Sequence, residues 1–322
     1  MLDDKTILIT GGTGSFGKAF TKYIFENYQP RKVIIYSRDE LKQSEMKAEF
    51  KEHKERLRFF IGDVRDLDRL IRASQDVNYI IHAAALKQVD TVEYNPFEAV
   101  RTNVQGAINI SEAAITNGCN KVVALSTDKA CLPVNFYGGT KFLSDKIFQS
   151  ANVYSRRFSN KFCIVRYGNV AGSRGSIIPV FRKMTAEGKI RLPVTHEEMT
   201  RFWTKMSDAI RLVMKALEDG QGGEIFVGKA PSFKVTNLVK AFNCSYDIIG
   251  IREGEKLHEQ MVTDLDICYD YGDHFRLYPN YDWYSVSEKI TGTPERVKIN
   301  YTSDNNHEWL SVTAMRGLLE GI

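Results

Sequence analysis

Cysteine is scarce and scattered in this sequence. The five cysteines are odd in number, and no two of them form a Cys-x-x-Cys pair; they are Cys119, Cys131, Cys163, Cys244 and Cys268. This pattern argues against a zinc or redox centre built on paired thiols. Scattered reduced thiols are typical of a cytosolic protein.

Long apolar runs and a strong excess of one charge are also lacking. No run approaches the ~18 apolar residues of a membrane-spanning helix. Charges at Asp3, Asp4 and Lys5 stand where a signal peptide would have its apolar core. The net charge of +4 is too small to indicate nucleic-acid binding. We therefore expect a globular, cytoplasmic protein without a membrane or nucleic-acid partner.

Short apolar runs rich in Val and Ile recur along the first half of the chain, separated by segments of helical length. They occupy residues 6–10, 32–37, 58–62, 79–83, 121–126 and 162–167. This alternation predicts an α/β fold with a doubly wound parallel sheet of the Rossmann type.

The pattern breaks after residue 167 into Gly- and Ser-rich sequence. We expect a dinucleotide-binding Rossmann domain over residues 1–170 and a smaller α/β substrate-binding region over 171–322. A segment near 200–228 is predicted to return to the Rossmann sheet, because it contains another short apolar run flanked by glycines. The Tyr-, Asp- and Phe-rich stretch 268–286 has no clear period and is predicted to be irregular or loosely stranded.

A glycine-rich turn directly follows the first predicted strand. The motif Thr-Gly-Gly-Thr-Gly-Ser-Phe-Gly spans residues 10–17 and opens a predicted helix. Glycines let a backbone approach a pyrophosphate closely, and the helix N-terminus supplies amide donors and a positive dipole. Strand, turn and helix in this order predict dinucleotide binding; a tight turn without a ligand is the alternative.

The end of the second strand indicates which dinucleotide is bound. An NAD-binding chain has an acidic residue about 20 residues after the turn, where it binds the ribose 2′-hydroxyl. Here the chain has Ser37 and Arg38, with Lys42 nearby, and a guanidinium is suited to a 2′-phosphate. This favours NADP, although the adjacent Asp39 leaves NAD open. The residues predicted to bind the cofactor are Gly11, Thr13, Gly14, Ser15, Phe16, Gly17, Ser37, Arg38, Lys42, Asp63, Val64, Ala83, Lys87, Asn103, Tyr137, Lys141 and Val170.

A second segment contains the residue types of acid–base catalysis. Tyr137 and Lys141 are one helical turn apart, and Asp128 and Lys129 follow the fifth strand at the sheet edge where α/β proteins bind ligands. A cation near a phenol lowers its pKa, so Lys141 is expected to activate Tyr137. A second Tyr-x-x-x-Lys copy at residues 28–32 precedes the second strand and is interpreted as a chance match.

Together these motifs resemble a known family. The glycine-rich turn, the Tyr-x-x-x-Lys pair and Arg-Tyr-Gly-Asn-Val at 166–170 are similar to those of extended short-chain dehydrogenases/reductases that act on nucleotide sugars. Met-Thr-Arg-Phe at 199–202 and Arg-Glu-Gly-Glu-Lys-Leu-His-Glu at 252–259 resemble the inverting UDP-N-acetylglucosamine 4,6-dehydratases of pseudaminic acid biosynthesis. Retaining sugar dehydratases have Thr-Asp-Glu where this chain has Thr127, Asp128 and Lys129.

The resemblance implies an NADP-dependent lyase that dehydrates UDP-N-acetylglucosamine and inverts C5, as a first step toward pseudaminic acid. Tyr137 would take the C4 hydroxyl proton while a hydride passes from C4 to NADP, and Lys141 would hold the cofactor ribose. Lys129 would remove the C5 proton and Asp128 would protonate the leaving C6 hydroxyl, before the hydride returns to C6. The product would be a UDP-4-keto-6-deoxy-L-arabino-hexosamine.

This scheme requires that Lys129 be uncharged when it removes the C5 proton. Only the neutral amine can act as a base, so we expect burial and neighbouring positive charge to lower the pKa of Lys129. The sequence leaves open whether the product serves flagellin glycosylation or a surface polysaccharide.

Arginines of the second region are expected to bind the UDP diphosphate, because a guanidinium binds phosphate in a forked geometry. We choose Arg174 and Arg252 for this contact, and Glu255 for the ribose hydroxyls. The matching family position assigns Asn169 to the phosphate or sugar. The residues predicted to bind the substrate are Lys87, Asn169, Arg174, Ile178, Thr200, Arg252 and Glu255. A surface ion pair or loop hydrogen bond is the alternative for five of them: Asn169, Arg174, Thr200, Arg252 and Glu255.

No metal site is predicted. His196 and His258 lack metal-ligand spacing with any cysteine or carboxylate cluster. His82 follows a buried strand and is interpreted as a core histidine.

Two other functions remain open. A UDP-sugar 4-epimerase would share Tyr137 and Lys141 but would not need an acid–base pair at Asp128 and Lys129. A non-catalytic module that senses NADP would have no use for Tyr137. The resemblance also implies a homo-oligomer, with a hexamer as one form.

Overall fold

The structure, a computed structural model, describes residues 1–155 and 160–321. Its strands are β1 (Thr6–Thr10), β2 (Lys32–Ser37), β3 (Leu57–Ile61), β4 (Tyr79–His82), β5 (Lys121–Leu125), β6 (Lys161–Arg166), β7 (Asn169–Val170), β8 (Arg191–Val194), β9 (Thr200–Thr204), β10 (Ile225–Gly228), β11 (Ser232–Lys234), β12 (Ser245–Ile248), β13 (Gln260–Val262), β14 (Ile267–Asp270), β15 (His274–Tyr278), β16 (Glu295–Val297) and β17 (Tyr301–Thr302).

Helices connect most of these strands. They are α1 (Ser15–Asn27), α2 (Glu40–Glu49), α3 (Leu67–Ala73), α4 (Val89–Tyr94), α5 (Pro96–Ala99), α6 (Gly106–Thr116), α7 (Phe136–Tyr154), α8 (Ile177–Ala186), α9 (Met206–Asp219), α10 (Val235–Ala241) and α11 (Val312–Glu320). Short 3-10 turns form at Lys51–His53 and Asp128–Ala130, and a π-helical segment, Val100–Gln105, joins α5 to α6.

A ten-stranded sheet organises the chain, in the order β16-β14-β15-β10-β6-β5-β4-β1-β2-β3. Neighbouring strands are parallel from β10 through to β3. At the other edge β15, β14 and β16 are added in antiparallel orientation. All six runs predicted from the first half of the sequence are parallel strands here, so the predicted α/β fold is confirmed.

Both faces of this sheet are covered by helices. Ile7 and Ile9 of β1 pack into one core with Phe20 of α1, whereas Leu8 packs into the opposite core with Ile110 of α6. Successive residues of a strand point to opposite faces, so a strand covered on both faces must be apolar throughout. This explains why the strand segments read as continuous Val- and Ile-rich runs.

The C-terminal region has a core of its own and also extends the main sheet. Strands β7, β9 and β11 form a three-stranded sheet, and a third hydrophobic cluster includes Leu192, Trp203, Leu238 and Met315. Strand β10, within the segment near 200–228, lies beside β6 in the main sheet.

The stretch 268–286, predicted to be irregular or loosely stranded, begins as a β-hairpin. Strands β14 and β15 pair in antiparallel orientation, and Gly272 takes a φ of +89° in the turn between them. Every residue of β15 is buried, and His274 and Arg276 alternate along it with Phe275 and Leu277. This short alternation is a strand signal that the sequence-based interpretation did not use.

Across residues 1–155 and 160–321, no helix combines the length and the apolar content needed to cross a membrane.

Helix α7 packs its first turn tightly against the 3-10 turn at Asp128–Ala130. Asn135 is the N-cap, and its side-chain oxygen accepts from the Gly138 amide at 2.7 Å. A Cβ on Gly138 would lie 2.2 Å from the backbone oxygen of Lys129, whereas a Cβ on Gly139 would meet nothing within 4 Å. Only the first of these two adjacent glycines is therefore required by packing.

This contrast predicts opposite effects for two neighbouring substitutions. Gly138→Ala should push α7 away from the 3-10 turn and destabilise the fold by about 1–3 kcal/mol, as other overpacked sites do. Gly139→Ala should stabilise it by about 0.5–1 kcal/mol, because alanine loses less backbone entropy in a helix. Thermal unfolding of both variants beside the wild type measures the difference. Equal melting temperatures for the two variants would contradict it.

Candidate active site

The glycine-rich turn between β1 and α1 opens onto a cleft. Gly11 has a φ of +64°, and a Cβ there would lie 2.8 Å from the backbone of Ala84, so the turn requires glycine. The Gly14 amide donates to the Gly11 carbonyl at 2.9 Å and closes the turn. Gly14 is also the N-cap of α1 and has no side chain that could occupy the first helical amides. The positive end of α1 is thus available to an anion such as a pyrophosphate.

The cleft has a volume of about 800 Å³ and runs along the carboxyl ends of β1, β2, β4 and β5. Doubly wound sheets bind their ligands at this edge. The structure brings almost all of the predicted cofactor residues together here. Those that line the cleft are Gly11, Thr13, Gly14, Ser15, Phe16, Gly17, Ser37, Arg38, Lys42, Asp63, Val64, Ala83, Lys87, Tyr137, Lys141 and Val170.

Asn103 is the exception among the predicted cofactor residues. It is buried, its amide nitrogen donates to the Leu86 carbonyl at 2.9 Å and to the Thr140 hydroxyl at 3.0 Å, and its oxygen accepts from the Leu86 amide at 2.8 Å. These bonds occupy both ends of the amide. Asn103 therefore holds the loop after β4 against α7 and does not line the cleft.

The end of β2 presents a cation to the cleft. Asp39 accepts from the Lys42 amide at 3.0 Å, and its second oxygen pairs with the Lys42 ammonium. These hydrogen bonds from Lys42 lower the pKa of Asp39. Arg38 is half-exposed, and its guanidinium lies 3.4 Å from a carboxylate oxygen of Asp63. The acidic residue is thus engaged at the start of α2, while Arg38 lies on the cleft wall.

Asp128 and Lys129 follow β5 in a 3-10 turn and belong to a cluster of four charges. Thr127 holds the turn, because its hydroxyl donates to Asp128 Oδ1 at 2.9 Å and accepts from the Lys129 amide at 3.4 Å. Lys129 Nζ lies 3.1 Å from Asp128 Oδ1 and 2.9 Å from Glu259 Oε1. Arg201 Nε lies 3.7 Å from the same Glu259 oxygen. We call Asp128, Lys129, Arg201 and Glu259 the four-charge cluster.

The four-charge cluster sets the protonation of its members. Burial disfavours the ammonium of Lys129, but the carboxylates of Asp128 and Glu259 together outweigh burial and raise the pKa of Lys129. Burial also raises the pKa of Asp128, although the nearby Lys129 opposes this. The expectation that the pKa of Lys129 is lowered is therefore wrong, because a second carboxylate, Glu259, faces its Nζ.

Tyr137 and Lys141 lie on the first two turns of α7 and line the same cleft. Burial raises the pKa of the Tyr137 phenol to about 12, and the Lys129 ammonium opposes this rise. Burial lowers the pKa of Lys141 itself, against the attraction of Asp145. The expected lowering of the Tyr137 pKa by Lys141 is thus wrong for the chain alone, because burial outweighs the charges around the phenol.

The other Tyr-x-x-x-Lys copy lies away from this site. Tyr28 is the C-cap of α1, directly after its last residue, and Lys32 is exposed at the amino end of β2. The cleft lies at the opposite, carboxyl end of that strand, so this copy is a chance match, as predicted.

A second cavity of about 350 Å³ continues from the cleft past Lys129 and Asn169, which line both. Arg252 also lines both cavities, and Glu255 lines the second. The Arg252 guanidinium lies 3.1 Å from a Glu255 oxygen and 3.3 Å from an Asp90 oxygen. Three predicted substrate residues, Asn169, Arg252 and Glu255, are thus brought together around the second cavity.

Three other predicted substrate residues lie elsewhere. Thr200 is buried, and its hydroxyl lies 2.8 Å from Nδ1 of His258. Ile178 is buried in the third hydrophobic cluster. Arg174 lines the cleft beside the cofactor turn, where its amide donates to the Ser15 hydroxyl at 3.2 Å. Thr200 lines neither cavity. Adjacent strand residues face opposite ways, which puts its neighbour Arg201 in the four-charge cluster instead.

Arg201 and Glu259 are site residues that sequence reasoning missed. Both are buried, Glu259 with an exposure of 2%. The available signals were the motifs at 199–202 and 252–259, which contain them, and the rarity of unpaired charges in protein interiors. Neither signal shows that Arg201 and Glu259 contact each other, because the two residues are 58 positions apart in the sequence.

Histidine and metal chemistry have little support at this site. Among residues 1–155 and 160–321, no group of three or more His, Cys, Asp and Glu side chains could hold a metal ion. His82 is buried with Nδ1 2.8 Å from the Thr10 hydroxyl, and burial lowers its pKa to about 3. It is a neutral core histidine, as predicted.

The chain is similar to curated nucleotide-sugar enzymes over most of its length. It is 48% identical, over 97% of its length and 96% of the relative's, to a UDP-N-acetylglucosamine 4,6-dehydratase (inverting) of Campylobacter jejuni subsp. jejuni serotype O:23/36 (strain 81-176). It is 42% identical, over 86% of its length and 84% of the relative's, to a UDP-glucose 4-epimerase of Rickettsia canadensis (strain McKiel).

Solved structures have the same fold. The X-ray structure of Pen from Bacillus thuringiensis superposes with a TM-score of 0.90 at 32% identity, covering 100% of this chain and 98% of that one. DesIV, a dTDP-glucose 4,6-dehydratase from Streptomyces venezuelae with NAD bound, superposes with a TM-score of 0.69 at 25% identity, covering 78% and 86%.

The family assignment follows from the extent of these matches. Residues 7–278 match the family described as polysaccharide biosynthesis protein. This span includes the glycine-rich turn, the Tyr-x-x-x-Lys helix and the complete four-charge cluster. With this match and with its identity to the Campylobacter dehydratase, the chain belongs to the polysaccharide biosynthesis protein family and has the fold of the extended short-chain dehydrogenases/reductases.

Proposed function

We propose that this protein is an NADP-dependent, configuration-inverting UDP-N-acetylglucosamine 4,6-dehydratase, a lyase. The observation that carries the proposal is the buried Asp128–Lys129 pair in the cleft that also contains Tyr137. The name of the Campylobacter relative supports it. In this proposal residues 1–170 hold the cofactor and residues 171–322 hold most of the UDP-sugar.

The first step is oxidation of the sugar at C4. Tyr137 removes the C4 hydroxyl proton, and Lys141, on the same face of α7, holds the cofactor ribose. A nicotinamide cofactor, when bound, accepts the hydride from C4 and later returns it to C6. Its positive charge beside the phenol would also offset the burial that holds the Tyr137 pKa near 12.

The second step is loss of water across C5 and C6. The C4 ketone acidifies the C5 proton, which passes to the neutral amine of Lys129. The electron pair of the C5–H bond forms the C5–C6 double bond, the C6–O bond breaks, and the proton of Asp128 leaves with the hydroxyl as water. A hydride then adds to C6 and a proton to the opposite face of C5, so there is no net oxidation.

This step needs Lys129 as an amine and Asp128 as an acid. Transfer of one proton from Nζ to Oδ1, across the 3.1 Å that separates them, produces both forms at once. The raised pKa of Asp128 favours the acid form. The high pKa of Lys129 favours the ammonium that results when the amine has taken the C5 proton. The pair therefore starts neutral and ends as an ion pair.

The second cavity fits the UDP part of the substrate. Arg252 can exchange its contact with Asp90 for a diphosphate oxygen, because a phosphate binds a guanidinium more strongly than an exposed carboxylate does. Glu255 can accept from ribose hydroxyls, and Asn169 lies between this cavity and Lys129. Burial lowers the pKa of Lys87 on the cleft wall, and a bound anion would act in the opposite direction and raise it.

NADP is proposed as the cofactor because of the charges at the end of β2. Arg38 lines the cleft, whereas the carboxylate of Asp39 is engaged by Lys42. The dehydratase structure with NAD bound supports a nicotinamide cofactor of either kind. As the resemblance to the family implies, we also propose a cytoplasmic homo-oligomer whose product leads toward pseudaminic acid.

A UDP-sugar 4-epimerase is the second candidate, favoured by the name of the Rickettsia relative. An epimerase returns the hydride to C4 and needs only Tyr137, Lys141 and rotation of the sugar. It has no use for a buried acid–base pair, and burying two charged groups is costly unless they are paired. The Asp128–Lys129 pair therefore favours the dehydratase.

Turnover in deuterated water separates the two functions. With UDP-N-acetylglucosamine, we expect NMR to show a 4-keto-6-deoxy product with deuterium at C5 and inverted C5 configuration. Deuterium enters at C5 because the proton returned there comes from a group that exchanges with solvent. Unchanged substrate or a C4 epimer without deuterium at C5 would reject the proposal.

Lys129→Ala tests the acid–base pair directly. It should lower kcat for dehydration by about 10²–10⁴, the usual contribution of a general base. An epimerase would keep its activity in this variant, so the same NMR assay with a retained rate would support the alternative. Thermal unfolding checks that the variant is folded.

Arg38→Ala tests the choice of cofactor. Loss of a charge-assisted hydrogen bond to the 2′-phosphate, worth about 1.5–3 kcal/mol, should weaken NADP binding at least tenfold and leave NAD binding within about twofold. Arg72→Ala, which removes an exposed arginine outside the cleft, is the matched control. Calorimetric titration measures both affinities. Equal losses for NADP and NAD would contradict the 2′-phosphate contact.

A further inference from the structure

Glu259 lies at the centre of the four-charge cluster and has an oxygen without a partner. Its Oε1 is 2.9 Å from Lys129 Nζ, while its Oε2 is buried and makes no hydrogen bond within the described part of the chain. The side chain also lines the second cavity. A buried carboxylate with one oxygen engaged by Lys129 and the other unused indicates a role beyond packing.

The backbone around Glu259 is fixed. Its amide donates to the Ser303 hydroxyl at 2.9 Å, and its carbonyl accepts from the Ser303 amide at 2.7 Å. Strand β13 begins at the next residue and pairs with β17. The carboxylate is therefore presented to Lys129 from a rigid element on the other side of the site from β5.

Glu259 remains charged in this position. Burial opposes its charge, but the cations of Lys129 and Arg201 outweigh burial and lower the pKa of Glu259. Arg201 is itself held in place, because its guanidinium donates to the Thr200 carbonyl at 2.7 Å and to the Leu257 carbonyl at 3.1 Å. Glu259 thus has a permanent cationic neighbour that does not depend on the state of Lys129.

We propose that Glu259 is a positioning residue for Lys129: it holds Nζ at the reacting carbon and stabilises the ammonium formed when Lys129 takes the C5 proton. The inference rests on the proposed dehydratase function and deepens it. The Glu259 carboxylate reaches the site from a different part of the chain than Asp128 does, and it acts through the lysine.

The reason that Lys129 needs a second anchor lies in the chemistry of Asp128. A lysine side chain is a flexible four-carbon stem, and one hydrogen bond leaves its Nζ poorly fixed. Asp128 holds a proton at the start of the elimination and gives it to the leaving hydroxyl, so its attraction for Nζ changes during the reaction. Glu259 keeps its charge throughout and can hold Nζ in both protonation states.

The pH dependence follows from the groups around Lys129. The charged and titratable groups that face it are Asp128, Glu259, Arg201, Tyr137 and Lys256. Removing the negative charge of Glu259 leaves Asp128 as the one carboxylate among them. The pKa of Lys129 should then fall, and its neutral amine should appear at lower pH.

Glu259→Gln tests the proposal, because it removes the charge and keeps the shape. Glu224→Gln is the matched control, since Glu224 is fully buried but lines neither cavity. Two measurements are made on the full-length protein. One is the pH dependence of acetic anhydride labelling of Lys129, read by peptide mass spectrometry; the other is the pH profile of kcat and KM with UDP-N-acetylglucosamine.

We expect Glu259→Gln to shift the labelling midpoint of Lys129 and the acidic limb of kcat to lower pH by about one unit or more. The plateau value of kcat should fall about tenfold, because the amine is less well held and its ammonium less stabilised, while KM stays within about twofold. Glu224→Gln should change none of these values. An unshifted midpoint in Glu259→Gln would overturn the proposal.

Glu259→Asp is a second test of the proposal that can be used if Glu259→Gln does not fold. It keeps the charge but withdraws the carboxylate by one methylene group, so the pKa of Lys129 should stay raised while kcat falls. A kcat equal to that of the wild type would overturn the positioning role. The labelling midpoint does not depend on turnover. If the wild type fails to convert the substrate, the proposed function fails, while a shifted midpoint still shows that Glu259 controls Lys129.

Discussion

An ammonium held between two buried carboxylates joins the two halves of this protein. Lys129 and Asp128 come from the turn after β5, and Glu259 comes from the segment before β13. Buried charges are costly to separate, so each half stabilises the position of the other only when both are in register. The packing of α7 against the same turn, through Gly138, adds Tyr137 to this arrangement. The charged groups of the site therefore also contribute to holding the C-terminal region against the Rossmann part.

The cofactor end of the cleft is built on a different principle. Here the backbone supplies the binding groups: a glycine turn closed by its own amide and the free N-terminus of α1. Such a site attracts a pyrophosphate without any buried side-chain charge. The choice between dinucleotides lies at the exposed end of β2, where engagement of Asp39 by Lys42 leaves Arg38 facing the cleft. The cofactor end of the cleft therefore has its side-chain charge at an exposed position. The other end has its charged, proton-carrying groups in the interior.

A sugar 4-epimerase and a 4,6-dehydratase of this fold would share their first step and differ in the second. Epimerases and dehydratases of this fold share the oxidation at C4, which needs a phenol and a lysine on one helix. Dehydration also needs a proton acceptor and a proton donor, and the protonation states of the two groups must change in the same step. A lysine and an aspartate 3.1 Å apart can exchange one proton and so prepare both forms at once. The raised pKa of Lys129 is compatible with the proposed role of Lys129 as a base, because in that proposal the ammonium is the product of the step and not its starting form.

The sequence by itself determined the parallel sheet, the dinucleotide turn and the residues of the Tyr137 helix, because each depends on local spacing: strand period, glycine position and one turn of helix. It also placed Asp128 and Lys129 side by side after the fifth strand, and the resemblance to the family predicted them as an acid–base pair. Only the tertiary structure decided what surrounds them. Glu259 and Arg201 face Lys129 from distant elements, and they reverse the expected direction of its pKa shift. Asn103 and Thr200 lie next to functional segments yet point away, because side-chain direction depends on which elements pack together. Electrostatic effects act through space, and the local sequence does not predict the distance between residues of remote segments.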